Sequence, residues 1–403
     1  MNRASRSMMA ALLLMGLGGF ASSARAEGET KYQVYGFTML DAGYGTEAVD
    51  PTWYDTMRPS KMASFKDQFG KDGQSYLSVR QSRFGVKTWT QTSMGELKTQ
   101  FEFDMYGVGK DAGLTTIRPR VFYGELGHFG AGQIASAFMD LDVFPNCLDY
   151  WGPNGMLFLR NPQIRWMPVM GDKQLTLALE APGASGDAGV YADRVEFANV
   201  RPDFPLPDLS GNFHVKQKWG YVQVGGIVRK IKWQDLGTGP TDISGDVTGW
   251  GATLSGNFAK GTENVLRFQV THGEGIENYF NDAPIDVGSE PNPGNPVTPV
   301  TGKALPITGF SVFVDHNWNA KFASTAGYSQ VNIDNSAGQA PSAYKLGQYA
   351  LANILYMPVP NVMAGFEVGW EKRENNSDGF DVDLMHFQLS AKYNFALNLG
   401  AGH

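Results

Sequence analysis

The chain of 403 residues has one cysteine, Cys147, so no disulfide can form within it, and we predict that this isolated thiol is inert. Beyond residue 26, no apolar run approaches the roughly 20 residues of a membrane-spanning helix, because Gly, Asn, Lys or Asp interrupts every run. If the mature protein lies in a membrane, it must therefore cross as strands.

Other absences exclude further classes of protein. Lys and Arg total 33 against 40 Asp and Glu, which gives a net charge of -7 and argues against a nucleic-acid partner. The 6 histidines are scattered without the spacing of metal ligands, and no glycine-rich segment leads into the Lys-Ser/Thr pair of a phosphate-binding loop. The sequence therefore predicts neither a metal nor another cofactor.

The first residues have the pattern of a secretory signal peptide. Arg3 and Arg6 precede an apolar run over residues 8–20, which ends at the small-residue site Ala24-Arg25-Ala26. We predict that residues 1–26 are a cleaved signal peptide and that residues 27–403 are a single domain. Cleavage removes three arginines and no acid, so the mature chain is more acidic still.

Residues 97–107, LKTQFEFDMYG, carry the pattern that recurs along the chain. Successive side chains of a strand point to opposite faces, so Phe101 and Phe103 share one face while Glu102 and Asp104 share the other. In a soluble sandwich the apolar face would meet a second sheet. Behind a secretory signal, the repeated pattern instead favours a closed barrel with lipid outside and water inside.

Segments of this kind occur about 16 times, an even number as bacterial barrels require. They cover residues 32–44, 75–92, 97–107, 116–127, 131–138, 162–168, 174–180, 209–219, 221–233, 247–258, 263–272, 307–318, 321–333, 344–357, 362–373 and 380–395. Short turns alternate with longer loops, the asymmetry of an outer-membrane barrel. The predicted fold is an all-β transmembrane antiparallel β-barrel.

Three connections are unusually long. Residues 139–166 are rich in Asp, Pro, Trp and Asn and lack alternation, so we predict that they fold inward and narrow the channel, although an ordinary surface loop is the alternative. The inward fold would place four charged side chains near the constriction: Asp140, Asp142, Asp149 and Arg160. Residues 45–74 are predicted as an external loop with a helical turn, and residues 273–306 as a long mobile loop.

Six arginines cluster in the first half of the chain: Arg80, Arg83, Arg118, Arg120, Arg160 and Arg165. A guanidinium is always charged and its fork fits a carboxylate, so several in one lumen would favour anions with carboxyl groups. The alternative for each is a structural ion pair with a lumen acid such as Glu102 or Asp104.

Alternation limits where these arginines can lie. It places Arg118, Arg120 and Phe122 on one face, and puts Arg83 on the face opposite Arg80 unless a bulge intervenes. We therefore expect Arg80 at a subunit interface or near the membrane rim.

Several segments resemble the DcaP-like outer-membrane porin family. They are RQSRFGVKT (80–88), FEFDMYG (101–107), RPRVFYGELG (118–127), SAFMD (136–140), GPNG (152–155) and RNPQIRW (160–166). The resemblance implies a trimeric porin of sixteen strands in the Gram-negative outer membrane, in which a narrowed lumen favours small dicarboxylates. The substrate-binding positions it implies are Arg83, Arg118, Arg120, Arg160 and Arg165.

The sequence thus favours a lipid-embedded homotrimeric channel for passive diffusion of small anionic solutes, and not an enzyme. An outer-membrane hydrolase would need a Ser and a His on one face, but Ser311 and His316 are separated by an odd number of residues. A non-conducting scaffold or adhesin barrel, binding a partner through its long loops, is a third possibility.

Barrel chains usually stop at a terminal aromatic, yet here eight residues follow Phe395.

Overall fold

Strands make up most of the molecule, as the alternating side chains predict. The computed structural model describes residues 30–107, 116–182, 194–203, 205–261 and 263–399. The predicted signal peptide lies outside these residues. Within them, no helix is long and apolar enough to cross a membrane.

The strands are β1 (Lys31–Gly45), β2 (Gln74–Ser78), β3 (Arg83–Thr92), β4 (Gly95–Asp104), β5 (Arg118–Leu126), β6 (Phe129–Ala135), β7 (Arg160–Val169), β8 (Lys173–Glu180), β9 (Val200–Asp203), β10 (Asp208–Gln217), β11 (Gly220–Asp235), β12 (Gly245–Lys260), β13 (Asn264–Glu274), β14 (Val287–Pro291), β15 (Val300–Ala304), β16 (Pro306–Asn317), β17 (Phe322–Ile333), β18 (Tyr344–Tyr356), β19 (Val362–Asn375) and β20 (Asp381–Leu399). Single 3₁₀ turns occur at Pro59–Lys61, Leu141–Val143 and Glu277–Tyr279.

The main sheet closes into a barrel of sixteen antiparallel strands. It contains 18 strand segments. Two pairs of segments each form one crossing: β2 and β3 pair with the same edge of β1, and β9 and β10 pair with the same edge of β11. Closure is made by β1 and β20, which pair from Tyr32 with Leu399 to Gly45 with His386. The predicted strand number and fold class are confirmed.

The two faces of the wall have opposite character. Outward side chains are large and apolar, for example Phe101 at 43% and Leu389 at 60% exposed. Inward side chains are polar and buried, for example Gln269 and Glu367, both at 1%. A soluble sandwich would bury its apolar face, so this inverted arrangement is that of a barrel with lipid outside.

Short turns and long connections lie at opposite ends of the barrel, which we call the turn end and the loop end. Turns such as residues 93–94 between β3 and β4, and 218–219 between β10 and β11, lie at the turn end with the start of β1 and the end of β20. Residues 46–73, 136–159 and 275–305 connect strands at the loop end. The expected asymmetry of an outer-membrane barrel is present.

An apolar core fills part of the barrel interior near the loop end. It joins Phe138 and Leu157 of segment 136–159 to Tyr279 and Phe280 of segment 275–305 and to Ile307 of the wall. Segment 136–159 therefore folds inward, as predicted. We call it the inward loop.

The other two long connections also differ from a plain surface loop. Residues 46–73 contain the expected helical turn, but Met57 is fully buried against wall residues. Segment 275–305 contains a buried 3₁₀ turn and the β14–β15 hairpin, so the prediction of one long mobile loop over residues 273–306 was wrong. Only residues 292–299 form the tip of that hairpin.

A register shift in β5 corrects the predicted face of Phe122. Glu102 pairs with Val121 while Phe103 pairs with Pro119, so Arg120 is an additional residue in β5. Arg120 is consequently buried, whereas Phe122 is 41% exposed on the outer wall. The prediction that Phe122 shares the arginine face was wrong.

Arg80 and the C-terminus also depart from expectation. The break between β2 and β3 turns Arg80 inward, where its Nη1 lies 2.7 Å from the Asp55 carboxylate. Its predicted place at a subunit interface or the membrane rim was wrong, because the intervening irregularity reverses the alternation. At the other end of the chain, β20 continues past Phe395 to Leu399.

Candidate channel constriction

The inward loop is held by wall side chains that accept hydrogen bonds from its backbone. The Glu367 carboxylate on β19 accepts from the N–H groups of Leu148 and Asp149, each at 2.8 Å. Gln269 on β13 accepts from the N–H of Leu157 at 2.7 Å. Buried backbone donors need acceptors, and the polar inner face supplies them. Together with bonds to Tyr221 on β11 and Gln388 on β20, these contacts attach the loop to the wall from β11 to β20.

Two glycines explain how the loop comes so close to the wall. A Cβ at Gly155 would lie 2.1 Å from the backbone oxygen of Gln330 on β17, so any side chain would force the loop away. Gly152 has a φ of +79°, a conformation that favours glycine. Both belong to the GPNG segment singled out in the sequence.

Two acids of the inward loop serve to anchor it. The Asp149 carboxylate accepts from the N–H groups of Met57 at 3.0 Å and Gly152 at 2.8 Å and from the Tyr349 hydroxyl at 3.0 Å. Burial raises the pKa of Asp149 to about 6. Asp140 accepts from the hydroxyl of Tyr221 at 2.9 Å, and burial raises its pKa as well.

Asp142 and Cys147 complete this loop. The Asp142 backbone oxygen accepts from the side-chain amide of Asn257 at 2.8 Å, while its side chain is exposed. The Cys147 thiol donates to the backbone oxygen of Asp149 at 3.3 Å, and burial raises the pKa of the thiol well above its usual range. A protonated thiol is a poor nucleophile, which accords with the predicted inertness.

Arginines face the loop from the opposite part of the wall. Strands β3, β5 and β7 run in the same direction and begin at Arg83, Arg118 and Arg160 respectively. Because they alternate with β4 and β6, their first residues lie at similar height in the barrel. The sequence thus brings the arginines to one level.

The acids that pair with these arginines lie on β4. Arg120 Nε lies 2.8 Å from Glu102 and its Nη1 lies 2.7 Å from Asp104. Arg118 Nη2 lies 3.0 Å from Asp104. Arg83 Nη1 is 3.7 Å from Glu102, and its buried Nε has no hydrogen-bond partner among the described residues. The structural ion pairs considered from the sequence therefore exist for these three residues.

A cavity of about 350 Å³ separates the arginine wall from the inward loop. Its charged and polar lining consists of Arg83, Gln100, Glu102, Arg120, Tyr150 and Arg160, and its apolar lining includes Leu141, Phe144 and Phe158 from the inward loop. Three guanidinium groups thus share the cavity with one carboxylate. We call it the arginine cavity.

Arg160 differs from the other arginines. Its guanidinium lies over the Phe158 ring, 4.5 Å from the centroid. Within the part of the chain that the structure describes, no carboxylate lies within ion-pairing distance of it. Arg160 also lines the cavity.

The structure brings together three of the five predicted site residues. Arg83, Arg120 and Arg160 line the cavity, whereas Arg118 lies behind it against Asp104 and the Tyr150 hydroxyl. Arg165 donates to Gln163 at 2.6 Å and to the backbone oxygen of Ala135. These bonds hold Arg165 outside the cavity lining.

Sequence reasoning missed several lining residues. Tyr150 and Phe158 lie in the irregular loop, where no periodicity assigns a face. Gln100 donates to the Tyr35 hydroxyl at 2.7 Å, and that hydroxyl donates to Glu102 at 2.8 Å. The alternation of β4 places Gln100 on the same face as Glu102 and Asp104. Only that alternation could have indicated Gln100 as a lining residue of the cavity.

A second cavity of about 250 Å³ continues from the first towards the turn end. The two share Gln100 and Ile134. Lys87 and Lys98 line the second cavity, and Lys98 lies 3.6 Å from Glu125. Lys87 lies on the same face of β3 as Arg83, as the alternation predicts. Basic side chains therefore follow one wall from mid-barrel towards the turn end.

The hydrolase alternative finds no support in the placement of Ser311 and His316. Ser311 is buried on the inner face of β16 at 2% exposure. His316 bonds to Asn264 and contacts the Trp318 ring near the turn end. The two residues face opposite sides, as their spacing indicates.

Comparisons with known proteins agree with the barrel fold. The profile of the family described as DcaP outer membrane protein matches residues 22–289. The outer membrane channel DcaP of Acinetobacter baumannii has a TM-score of 0.76 at 21% identity, over 92% of this chain and 99% of that chain. No curated protein matches the sequence significantly.

More distant porins share the fold. An anion-selective porin from Comamonas acidovorans has a TM-score of 0.55 at 11% identity, over 91% of this chain and 100% of that chain. OmpT of Vibrio cholerae in its trimer form has a TM-score of 0.53 at 14% identity, over the same shares of 91% and 100%. At these identities the likeness concerns the fold alone.

Proposed function

The chain belongs to the DcaP outer membrane protein family, and from that premise we propose that it forms a channel for passive diffusion of small anionic solutes, dicarboxylates above all. The observation that carries this proposal is the arginine cavity. Arg83, Arg120 and Arg160 line it together with a single carboxylate, Glu102. A narrow lumen with excess positive charge favours anions.

The kind of anion follows from the side chains. Guanidinium forks bind carboxylates in a bidentate manner, which ammonium groups do not. Arg160 and Arg83 approach the cavity from β7 and β3, on either side of Arg120, so two carboxylate groups of one solute can each meet a guanidinium. A cavity of about 350 Å³ has the volume of a small-molecule site. Arg118 shares the Tyr150 hydroxyl with Arg120 from outside the lining, and Arg165 bonds to Gln163 and the Ala135 backbone.

The purely structural alternative accounts for only part of the cluster. Ion pairs with Glu102 and Asp104 suffice to explain Arg118 and Arg120. They do not explain Arg160, which forms no ion pair with a carboxylate among the described residues. Lys87 and Lys98 extend the basic wall in the direction that a solute would leave.

The remaining proposals concern export and assembly. Residues 1–26 act as a cleaved signal peptide, and residues 27–403 form one barrel domain in the Gram-negative outer membrane. Three copies assemble, a state supported by the trimer form of the similar OmpT and by the family resemblance of the sequence.

Solutes of matched size and different charge test the proposed selectivity. Liposomes containing the purified protein should take up succinate several-fold faster than succinamide, and succinamide faster than 1,4-diaminobutane. Liposomes without protein supply the background rate. Equal uptake of all three would refute anion selectivity and leave a general porin, and no uptake above background would refute the channel itself.

A further inference from the structure

The cavity of about 250 Å³ towards the turn end is built by paired residues of β3, β4 and β5, and we call it the lysine cavity. Two adjacent rows of the sheet supply its polar and aromatic lining: Lys87, Gln100 and Tyr123, then Trp89, Lys98 and Glu125. Within each row, neighbouring strands pair these residues directly, so their side chains share one face of the sheet. The regular register of the three strands therefore assembles the cavity.

The lysine cavity has one cationic side chain that its own lining does not balance. Lys98 lies 3.6 Å from Glu125, and these two charges offset each other. Lys87 forms no ion pair with a carboxylate among the residues that the structure describes, and its Nζ lies 4.9 Å from the centroid of the Tyr35 ring. An aromatic ring attracts an ammonium group but carries no opposite net charge. The Lys87 charge thus stays available to an anion.

Arg165 adds positive charge beside the lysine cavity. Its guanidinium carbon lies 5.9 Å from the centroid of the Tyr123 ring, which lines that cavity. Its hydrogen bonds go to neutral acceptors, the Gln163 side chain and the Ala135 backbone oxygen. Over the described ranges of the chain, no carboxylate lies within ion-pairing distance of it. Arg165 therefore raises the positive potential of the lysine cavity without lining it.

The arginine cavity and the lysine cavity adjoin, but one small solute cannot span their cations. Lys87 follows Arg83 by four residues of β3, which is roughly 13 Å along a strand and more than the length of a four-carbon diacid. The two cavities share Gln100 and Ile134 in their linings. A solute that leaves the arginine cavity towards the turn end therefore meets the lysine cavity next.

We infer that the lysine cavity is a second anion-binding site, which holds one carboxylate group of a small solute between the arginine cavity and the turn end. This inference rests on the proposed function, because it assumes that anions pass through the arginine cavity. The two sites differ in chemistry. The ammonium group of Lys87 is a compact point charge without the fork of a guanidinium. The lysine cavity therefore needs only one carboxylate in the solute.

The durations of single-channel current interruptions by succinate test this inference. In channels that carry Arg160→Gln, the arginine cavity is weakened, so the remaining interruptions report on the lysine cavity. Adding Lys87→Gln should shorten these interruptions roughly threefold to tenfold, because loss of a directly bound charge speeds dissociation. Lys87→Arg keeps the charge, and its interruptions should stay within about twofold of those in Arg160→Gln alone.

Lys321→Gln is the matched control in the same background. Lys321 is exposed at a turn of the turn end and lines neither cavity. Its loss removes the same charge and should leave the interruptions unchanged. A Lys87→Gln channel with rarer interruptions of unchanged duration would overturn the inference, because Lys87 would then attract anions without binding them. Unchanged frequency and duration would overturn it as well.

Failure of the proposed function gives a different result. A wild-type channel that succinate does not interrupt and that lacks anion selectivity would overturn the proposed function itself. If succinate interrupts the wild-type channel but not the Arg160→Gln channel, the arginine cavity is the sole site. That outcome overturns the present inference and leaves the proposed function intact.

Bromide binding provides a measurement that does not depend on current. Wild-type crystals soaked in bromide should show anomalous density beside Lys87 Nζ, and crystals of Lys87→Gln should lack it while keeping the density in the arginine cavity. Bromide in the arginine cavity alone would contradict the second site. Bromide in neither cavity would contradict the anion path on which the proposed function depends.

Discussion

At the scale of single residues, arginines of equal charge have different roles. Arg118 and Arg120 are saturated by the acids of β4, and their charges balance Asp104 and Glu102. Arg83 approaches Glu102 only to 3.7 Å. Arg160 rests on the Phe158 ring and keeps its guanidinium N–H groups free of acids among the described residues. Arg160 is therefore the residue whose removal tests the anion path most specifically.

Arg160→Gln should lower the chloride-to-potassium permeability ratio roughly threefold to tenfold, because it removes a charge that no neighbouring acid balances. The measurement is the reversal potential in a planar bilayer. Arg201→Gln is the matched control, since Arg201 is exposed on β9, bonded to Gln234 at 2.9 Å and absent from the cavity. If both variants behave alike, Arg160 has no special role.

The sequence predicts whether a single residue faces inward or outward only where the strand alternates regularly. Arg83, Glu102 and Asp104 lie inward because β3 and β4 are regular. Phe122 was misplaced because a bulge at Arg120 leaves no mark in the residue pattern. Tyr150 could not be found at all, since the contacts that place it involve residues distant in sequence.

At the scale of elements, we expect the anchoring of the inward loop to control the width of the channel. Glu367→Ala removes the acceptor of two backbone donors and should weaken loop attachment by on the order of 3 kcal/mol. Single-channel conductance should rise and become noisier, while the barrel still assembles. Glu263→Ala, at an exposed turn, makes the same charge change as a control. Unchanged conductance in Glu367→Ala would show that the loop is held elsewhere.

The raised pKa of Asp149 predicts a pH dependence of stability. The folded protein binds this proton more tightly than the unfolded chain does, so the contribution of Asp149 is complete below about pH 4 and is lost as the pH rises through about 6. Two further loop acids with pKa values raised by burial, Asp140 and Asp55, act in the same direction. The ionisable neighbours of Asp149 include Tyr349, whose hydroxyl donates to its carboxylate, as well as Glu367 and Cys147.

Asp149→Asn should therefore flatten the fall in unfolding temperature between pH 4 and pH 7. Met57 and Gly152 donate to different oxygens of the carboxylate, so Asn keeps the oxygen acceptor for only one of these N–H groups, and it cannot ionise. The expected difference in stability across this range is on the order of 3 kcal/mol, measured by heating in detergent and following mobility on gels. An Asn variant whose pH profile matches wild type would contradict this role.

The sequence predicted the inward fold of one long connection but not of the other two. Loss of alternation over residues 139–166 identified the inward loop, because a segment so long and aromatic needs partners. The inward parts of residues 46–73 and 275–305 were not foreseen. Their burial depends on side chains such as Met57 and Tyr279 packing inside a barrel, and local composition does not distinguish this from a surface loop.

At the scale of the whole molecule, closure was the most predictable feature, since sixteen two-faced strands can satisfy their backbone groups in lipid only as a barrel. Assembly was less predictable. The alternation of side chains predicted Arg80 at a subunit interface or the membrane rim, and this was one reason to expect a trimer. The structure removes that reason, because Arg80 pairs with Asp55 inside the barrel.

Trimer formation is nonetheless expected from the family. The purified protein should run as a species of about three chains on an unheated gel and as one chain after boiling. Mass measurement in detergent provides the independent check. A monomer in both experiments would contradict the proposed assembly and leave the barrel account intact.

The central claim is that the channel prefers anions, and the reversal potential of the wild-type channel tests it most directly. In a planar bilayer with a tenfold KCl gradient, the potential should shift strongly towards the equilibrium potential of chloride, and added succinate should interrupt the current. A reversal potential at zero, or one on the potassium side, would contradict the claim whatever the behaviour of the variants.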